Sequence, residues 1–420
     1  MRSDLQVKLQ HLIEETEEQV RPVHLEIDKT VEKNQERVLR SFQKNSVSDY
    51  HFNPSTGYGY DDPGRDTLEA VYAHAFGAEA ALVRPQIVSG THAISTCLFG
   101  VLRPGDELLY ITGKPYDTLE EVVGVRGGNN GSLKEFGISY NAVPLTADGR
   151  PDYERIAEAI KPNTKMIGIQ RSKGYENRPS FTIREIKEMI DFVKEIKSDV
   201  VVFIDNCYGE FVEELEPTHV GADLMAGSLI KNPGGGIVKT GGYIVGKKEL
   251  VEQCAHRLSA PGLGAEAGAS LYSLLEMYQG FFLAPHVVGQ ALKGAVFTAA
   301  LLERIGLNTD PAWDAPRTDL IQSVQFNDRE QMIAFCQAIQ YASPVDSKFT
   351  PYPSEMPGYE DKVIMAGGTF IQGSSIELSA DGPIRPPYTV YIQGGLTYEH
   401  VKIAIRIALS QLIEKNLLNI

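Results

Sequence analysis

Between residues 80 and 246, short apolar runs alternate with amphipathic helical patterns, and this alternation constrains the fold of the 420-residue chain most. The runs at 80–88 (AALVRPQIV), 107–111 (ELLYI), 164–169 (TKMIGI), 200–204 (ending at Asp205) and 242–246 (GYIVG) are short and rich in β-branched residues. They read as buried strands. Helical periodicity over 91–102, 153–160 and 182–197 lies between them. Parallel neighbours need crossover connections, so the pattern predicts an α/β fold: a mostly parallel sheet with helices on both faces.

The flanks differ from this centre. Residues 3–45 are polar and lack glycine, with Leu5, Leu9, Leu12 and Ile13 at helical spacing. One or two helices are expected there, packed on the main body or on a partner subunit because the apolar stripe is narrow. A glycine-rich aromatic loop, HFNPSTGYGYDDPGRD (51–66), follows, then a helix over 67–76. Residues 269–305 read as long helices. The tail mixes strands (319–326, around 363–379, 388–394) with helices at 328–340 and 397–415, as in a smaller α+β domain. The expected division is an N-terminal helical arm (1–60), a large domain (61–290) and a small C-terminal domain (291–420).

A formal net charge of −15 repels phosphate backbones and anionic lipid, so nucleic-acid and membrane-surface roles are not expected. A local pocket can still hold a small anion. The four cysteines, Cys97, Cys207, Cys254 and Cys336, lack paired spacing, which argues against a disulfide framework or a zinc knuckle. No close histidine pairing suggests a metal. The charged start lacks the apolar run of a signal peptide, so a cytoplasmic location is expected.

Four groups of residues carry chemistry. VVFIDNCYGEF puts Asp205 where an apolar strand stops, at the rim where open α/β sheets bind ligands. GSLIKNPGGG offers Ser228 and Lys231 three residues apart. QIVSGTHAIS sets Ser89, Gly90 and Thr91 between a strand and a helix, where free amides and the helix dipole suit a phosphate. Tyr116, in GKPYDTLEEV, could stack on a flat heterocycle. An aldehyde cofactor needs such a set: an amine to hold it, a carboxylate to keep its pyridine nitrogen protonated, and donors for its phosphate. Each piece alone has a plainer explanation: a cap, a turn lysine, an N-cap or a packing ring. Their order, each at the carboxyl edge of an expected strand, favours the shared site.

In that order SGTHA, PYDT, IDNCYGEF and GSLIK resemble the fold type I pyridoxal-phosphate enzymes of cysteine and methionine metabolism. The nearest resemblance is to the methionine gamma-lyase-like branch, also described as aluminium resistance proteins, with GYGYDDPGRD, QRSKGYENRPS and GSLIKNPGGG as its most specific stretches. The resemblance implies pyridoxal 5'-phosphate as cofactor, with Lys231 as Schiff-base lysine and proton shuttle. It also implies that Asp205 pairs with the pyridinium nitrogen and Tyr116 stacks on the ring, while Gly90, Thr91 and Ser228, with Ser89, hold the phosphate. Tyr60 resembles the tyrosine that reaches the phosphate of a neighbouring subunit, which implies a homodimer or homotetramer with shared sites. Arg385, in DGPIRPPY, is the candidate for the substrate carboxylate; Arg171 competes with it, and Tyr58 is a further candidate for substrate contact.

Departures from the family pattern bear on specificity. Ile230 stands where a hydroxyl usually precedes the lysine, and Asp62 where an arginine usually follows the phosphate tyrosine, with Arg65 as a substitute candidate. QRSKGY (170–175) replaces an Asn-Pro turn, so Arg171, Ser172 and Tyr175 are expected to face the pocket. The implied reaction is β- or γ-elimination from an amino acid, breaking a carbon–sulfur bond in a cystathionine- or methionine-type substrate. The alternatives are an aldolase- or transaminase-type reaction on the same fold, or a non-catalytic pyridoxal-phosphate-binding protein. A dehydrogenase reading fails, since no G-x-G-x-x-G turn follows a strand with an acidic residue about twenty positions on.

Overall fold

The computed structural model describes residues 2–176, 178–356 and 359–420; Met1 of the expected arm and Asn177 of the 170–180 run lie outside the described residues. Helix α1 (Arg2–Lys44) leads through α2 (Pro63–Ala75) into β1 (Ala80–Arg84), α3 (Gly90–Val101), β2 (Glu107–Tyr110) and α4 (Asp117–Val123). Next come β3 (Ser139–Ala142), α5 (Tyr153–Ala159), β4 (Thr164–Gln170), α6 (Ile183–Ile196), β5 (Val201–Asp205), β6 (Leu224–Ser228), β7 (Gly242–Gly246) and α7 (Lys248–Leu258).

The seven strands form one sheet in the order β1-β7-β6-β5-β4-β2-β3. Strands β3, β2, β4, β5 and β6 are parallel neighbours, and β7 inserts antiparallel between β6 and β1. The expected mostly parallel sheet is therefore present. Alternation along each strand sends Ile167, Ile169, Val202 and Ile204 to a core shared with α2 and α6, and Met166 and Phe203 to one shared with α3 and α7. Both faces are buried, which explains the near-continuous apolar runs. Two strands of this sheet escaped the sequence reading. The β6 segment LMAGS contains glycine and serine, and β3 (SYNA) is a polar edge strand.

Beyond α7, one 31-residue helix, α8 (Leu274–Arg304), replaces the several expected over 269–305. Its first half buries Met277, Tyr278 and Phe281 in the large-domain core, and its second half buries Phe297, Leu301 and Leu302 in the small-domain core. The 290/291 boundary thus falls inside a continuous helix. Helix α1, a single 43-residue element, lies along α8. Leu9 and Ile13 enter the small-domain core, Val20 packs with Val296 and Ala300, and Val38 joins the large-domain core. The narrow stripe of α1 is covered within its own chain.

The remaining chain forms β8 (Asn308–Asp310), β9 (Gln322–Gln325), α9 (Arg329–Tyr341), β10 (Val363–Ala366), β11 (Ser379–Pro383), β12 (Thr389–Gln393) and α10 (Tyr398–Glu414). These strands make an antiparallel sheet in the order β10-β11-β12-β9-β8, sharing a core with α9 and α10. The small domain is α+β, as its sequence pattern predicts. Among the described residues no helix is long and apolar enough to cross a membrane.

Candidate active site

The carboxyl ends of β4, β5 and β6 meet the N-terminus of α3 at a cavity of about 460 Å³. Ser89, Gly90, Thr91, Tyr116, Asp205, Ser228 and Lys231 all line it, so residues spread over 140 positions converge on one space. The small domain closes one side with Gly373, Ser374, Arg385 and Gln393.

Ser89 caps α3, its hydroxyl accepting from the His92 amide at 3.1 Å. The Gly90 and Thr91 amides belong to the first turn, where no intrahelical acceptor exists, and the helix dipole adds positive potential there. Gly90 has a packing reason to be glycine. A Cβ there would stand 3.1 Å from Cys207 Sγ and 3.4 Å from Ser228 Cβ, closing the approach to the amides. The Tyr116 hydroxyl lies 2.8 Å from Thr91 Oγ1, and its backbone amide donates to Gln170 Oε1 at 2.9 Å. Burial, with the Asp205 charge nearby, pushes the Tyr116 phenol up, so it stays neutral.

Asp205 ends β5 and is buried. Its Oδ1 accepts the Cys207 amide at 3.1 Å. Burial raises its pKa despite the opposing Cys207 amide and the charges of Lys231 and Arg178. A cation placed at this carboxylate would relieve that cost. Lys231 lies in a tight loop. Gly234 closes it, since a Cβ there would fall 1.8 Å from the Leu229 carbonyl oxygen. The Lys231 Nζ donates to the Ser374 carbonyl at 2.9 Å and sits 3.6 Å from the centroid of the Tyr208 ring. Burial opposes its charge, but Tyr208, Cys207 and Glu210 outweigh this and raise its pKa. The cavity thus presents a cation beside free amides, which suits an anionic ligand.

Two pocket residues gave weak sequence signals. Tyr208 holds φ +71°, a strained conformation for a residue with a side chain, and its ring faces the lysine. Gln170 also donates to the Ser172 carbonyl at 2.9 Å, so it fixes the loop carrying Tyr116. A left-handed tyrosine leaves no local sequence pattern, and a strand-end glutamine reads as an ordinary terminator.

Other expected residues fall elsewhere. Arg171 does not face the pocket. It is fully buried, donating to Asn206 Oδ1 at 2.8 Å, Gly209 O at 3.0 Å and Glu213 Oε2 at 2.7 Å. Alternation past the end of β4 turns Arg171 away while Gln170 and Ser172 line the cavity. Tyr175 lines it too, as expected. Arg385 stands at the mouth, half exposed and 3.2 Å from Asp361. Tyr58 and Tyr60 stack on each other at 5.4 Å on an exposed loop and do not line the cavity of their own chain. Arg65 is tied to the carbonyls of Gly59 at 2.6 Å and Gly268 at 3.2 Å, while Asp62 caps α2. Both hold the 51–66 loop, and Ile230 lines the cavity without a hydroxyl.

The model of the methionine gamma-lyase family matches residues 9–413. The chain is 71% identical over 405 residues to the uncharacterized protein YnbB of Bacillus subtilis, covering 96% of each. It superposes with a TM-score of 0.95 on a Listeria monocytogenes structure given the provisional name cystathionine beta-lyase involved in aluminum resistance, at 66% identity, covering 96% of this chain and 99% of that one. At the level of fold alone, a pyridoxal-5'-phosphate-dependent protein of Escherichia coli, YhfS, aligns with a TM-score of 0.59 and 18% identity over 91% of this chain and 97% of its own. With a match over nearly its whole length and this fold type I architecture around the cavity, the chain belongs to the methionine gamma-lyase family.

Proposed function

We propose that the protein is a cytosolic pyridoxal-phosphate lyase that breaks a carbon–sulfur bond of an amino acid by β- or γ-elimination. The convergence of Lys231, Asp205, Tyr116 and the α3 amides on one cavity carries the reading. The residues fit the cofactor. Gly90 leaves the amides open to a phosphate, and a buried carboxylate of raised pKa is matched by a pyridinium N–H. Bound there, the cofactor supplies an electron-withdrawing ring that accepts the charge left when the α proton departs.

The chain's own groups do the rest. Lys231 Nζ would tether the cofactor, take the α proton and return one farther along the substrate. Asp205 would keep the ring nitrogen protonated, and Tyr116 would orient the ring while Gln170 holds the Tyr116 backbone. Tyr208 faces the lysine and steers Nζ. Arg385 receives the substrate carboxylate, whose burial without a partner would cost several kcal/mol. In β-elimination the Cβ–S bond breaks, the sulfur leaves as a thiolate with the bonding pair and gains a proton, and water converts the remaining aminoacrylate to pyruvate and ammonium. The purified protein should be yellow, and Lys231→Ala colourless. It should release a keto acid from cystathionine, methionine or cysteine. Wild-type protein that stays colourless after added cofactor overturns the reading.

We also propose a dimer or tetramer in which the partner's 51–66 loop completes each site. In support, Tyr58 and Tyr60 are 75% and 53% exposed, with Leu271 and Tyr272 exposed nearby. The loop is held rigid by Arg65, and by Ser270 donating to Asp62 at 2.5 Å. A rigid, exposed aromatic pair is suited to contact another subunit.

A further inference from the structure

The cavity around Lys231 adjoins a second one of about 670 Å³, and Lys114, Tyr175, Glu176 and Arg385 line both at the neck between them. Beyond the neck, Ala142, Pro144 and Leu145 from the large domain face Pro383, Pro386 and Tyr391 from the small domain. This outer chamber lies within the size range of small-molecule sites. Its walls are largely apolar, and Lys114 and Glu176 at its neck already have close partners. Lys114 donates to Glu120 at 2.9 Å, Glu176 accepts from Arg178 at 3.2 Å, and Arg385 pairs with Asp361. The Tyr391 hydroxyl donates to the Tyr175 carbonyl at 2.8 Å, which ties the two domains across the neck.

We infer that the outer chamber takes the group on the far side of the substrate's sulfur, and that the preferred substrates are cysteine thioethers with a bulky, apolar S-substituent. This rests on the lyase reading for the chemistry at Lys231, and extends it to substrate choice. The inner cavity holds the amino-acid half, with Arg385 at its carboxylate. The sulfur then sits at the neck, and its substituent has the proline-lined chamber ahead. A methyl group would leave that chamber filled with water. A benzyl group would exchange water for the Pro144, Leu145 and Tyr391 walls, and apolar burial strengthens binding in proportion to area.

The test is calorimetric titration of the cofactor-loaded protein with S-methyl-, S-propyl- and S-benzyl-L-cysteine and with L-cystathionine, run beside assays of thiol and pyruvate release. S-benzyl-cysteine should bind at least tenfold more tightly than S-methyl-cysteine. Pro144→Trp, at a surface-exposed wall position, should narrow that ratio severalfold, and Leu145→Arg should do so independently. Equal affinities across the series, a preference for cystathionine over S-benzyl-cysteine, or a ratio unchanged in both variants would overturn the inference. If the affinity ratio appears and no thioether is cleaved, the lyase reading fails while the chamber assignment stands.

Discussion

At the level of single residues, the cavity separates groups with similar sequence signals into different roles. Arg385 is the sequence candidate for the carboxylate and Arg171 its competitor, and burial separates them. Arg171 holds Glu213 and lies 3.7 Å from buried Glu216, whose other guanidinium partner is Arg37, so Arg171→Leu would weaken the compensation of Glu216 and strip the buried Asn206 Oδ1 and Gly209 carbonyl of their donor. Its expected cost is about 3–5 kcal/mol in urea denaturation. Arg385→Lys keeps the charge and loses the planar fork, so kcat/KM should fall by about tenfold or more with the visible cofactor band intact. A variant indistinguishable from wild type removes Arg385 from the carboxylate. Buried Glu210 accepts from the Tyr243 hydroxyl at 2.6 Å, while its Oε2 has no hydrogen-bond partner among the described residues. Burial pushes its pKa up to about 8 from 4.5, against the Tyr243 hydrogen bond. A raised acid stabilises the fold below its unfolded pKa and loses that contribution as pH rises through the folded one. The contribution of Glu210 to stability should therefore fall between about pH 4.5 and 8, so denaturation curves of wild type and Glu210→Gln should differ by an amount that changes with pH across that window.

At the level of elements, strand ends and helix starts carry the chemistry because that is where backbone groups lack partners. Ser89→Ala removes the α3 cap, an expected loss of about 1 kcal/mol in stability, and should also weaken cofactor retention on dialysis. Unchanged retention would separate the cap from the phosphate cradle. The α1–α8 pair shows a different constraint. A Cβ on Gly289 would stand 2.4 Å from Val31 Cγ2, so the helices touch at a glycine. Gly289→Val should destabilise by about 1–3 kcal/mol through overpacking, read from the midpoint of chemical denaturation.

For the whole molecule, α1 and α8 join the two cores, so the small domain is held against the large one rather than hung on a linker. Ile376 N donates to the Ile230 carbonyl at 3.1 Å, and Ser374 meets Lys231, which brings small-domain backbone to the reactive amine. Mixed oligomers test the proposed shared sites. Subunits carrying Tyr60→Phe and subunits carrying Lys231→Ala should recover activity on co-refolding, because hybrids contain one site with both residues intact. Full activity from a monomer in sedimentation would contradict the shared site.

The sequence alone determined the α/β class, the strand-end position of Asp205, the SGT turn and the lysine loop. Those features are local: hydrophobic period, glycine placement and helix-start chemistry act within a dozen residues. Its near misses were also local in origin, since β6 contains glycine and β3 is a polar edge. Only the tertiary structure decided which way Arg171 points, that α8 runs through the expected domain boundary, and that a second chamber adjoins the cavity. These depend on pairing between segments far apart in the chain. A one-residue step past a strand end reverses the face of a side chain, and no local pattern records what then packs against it.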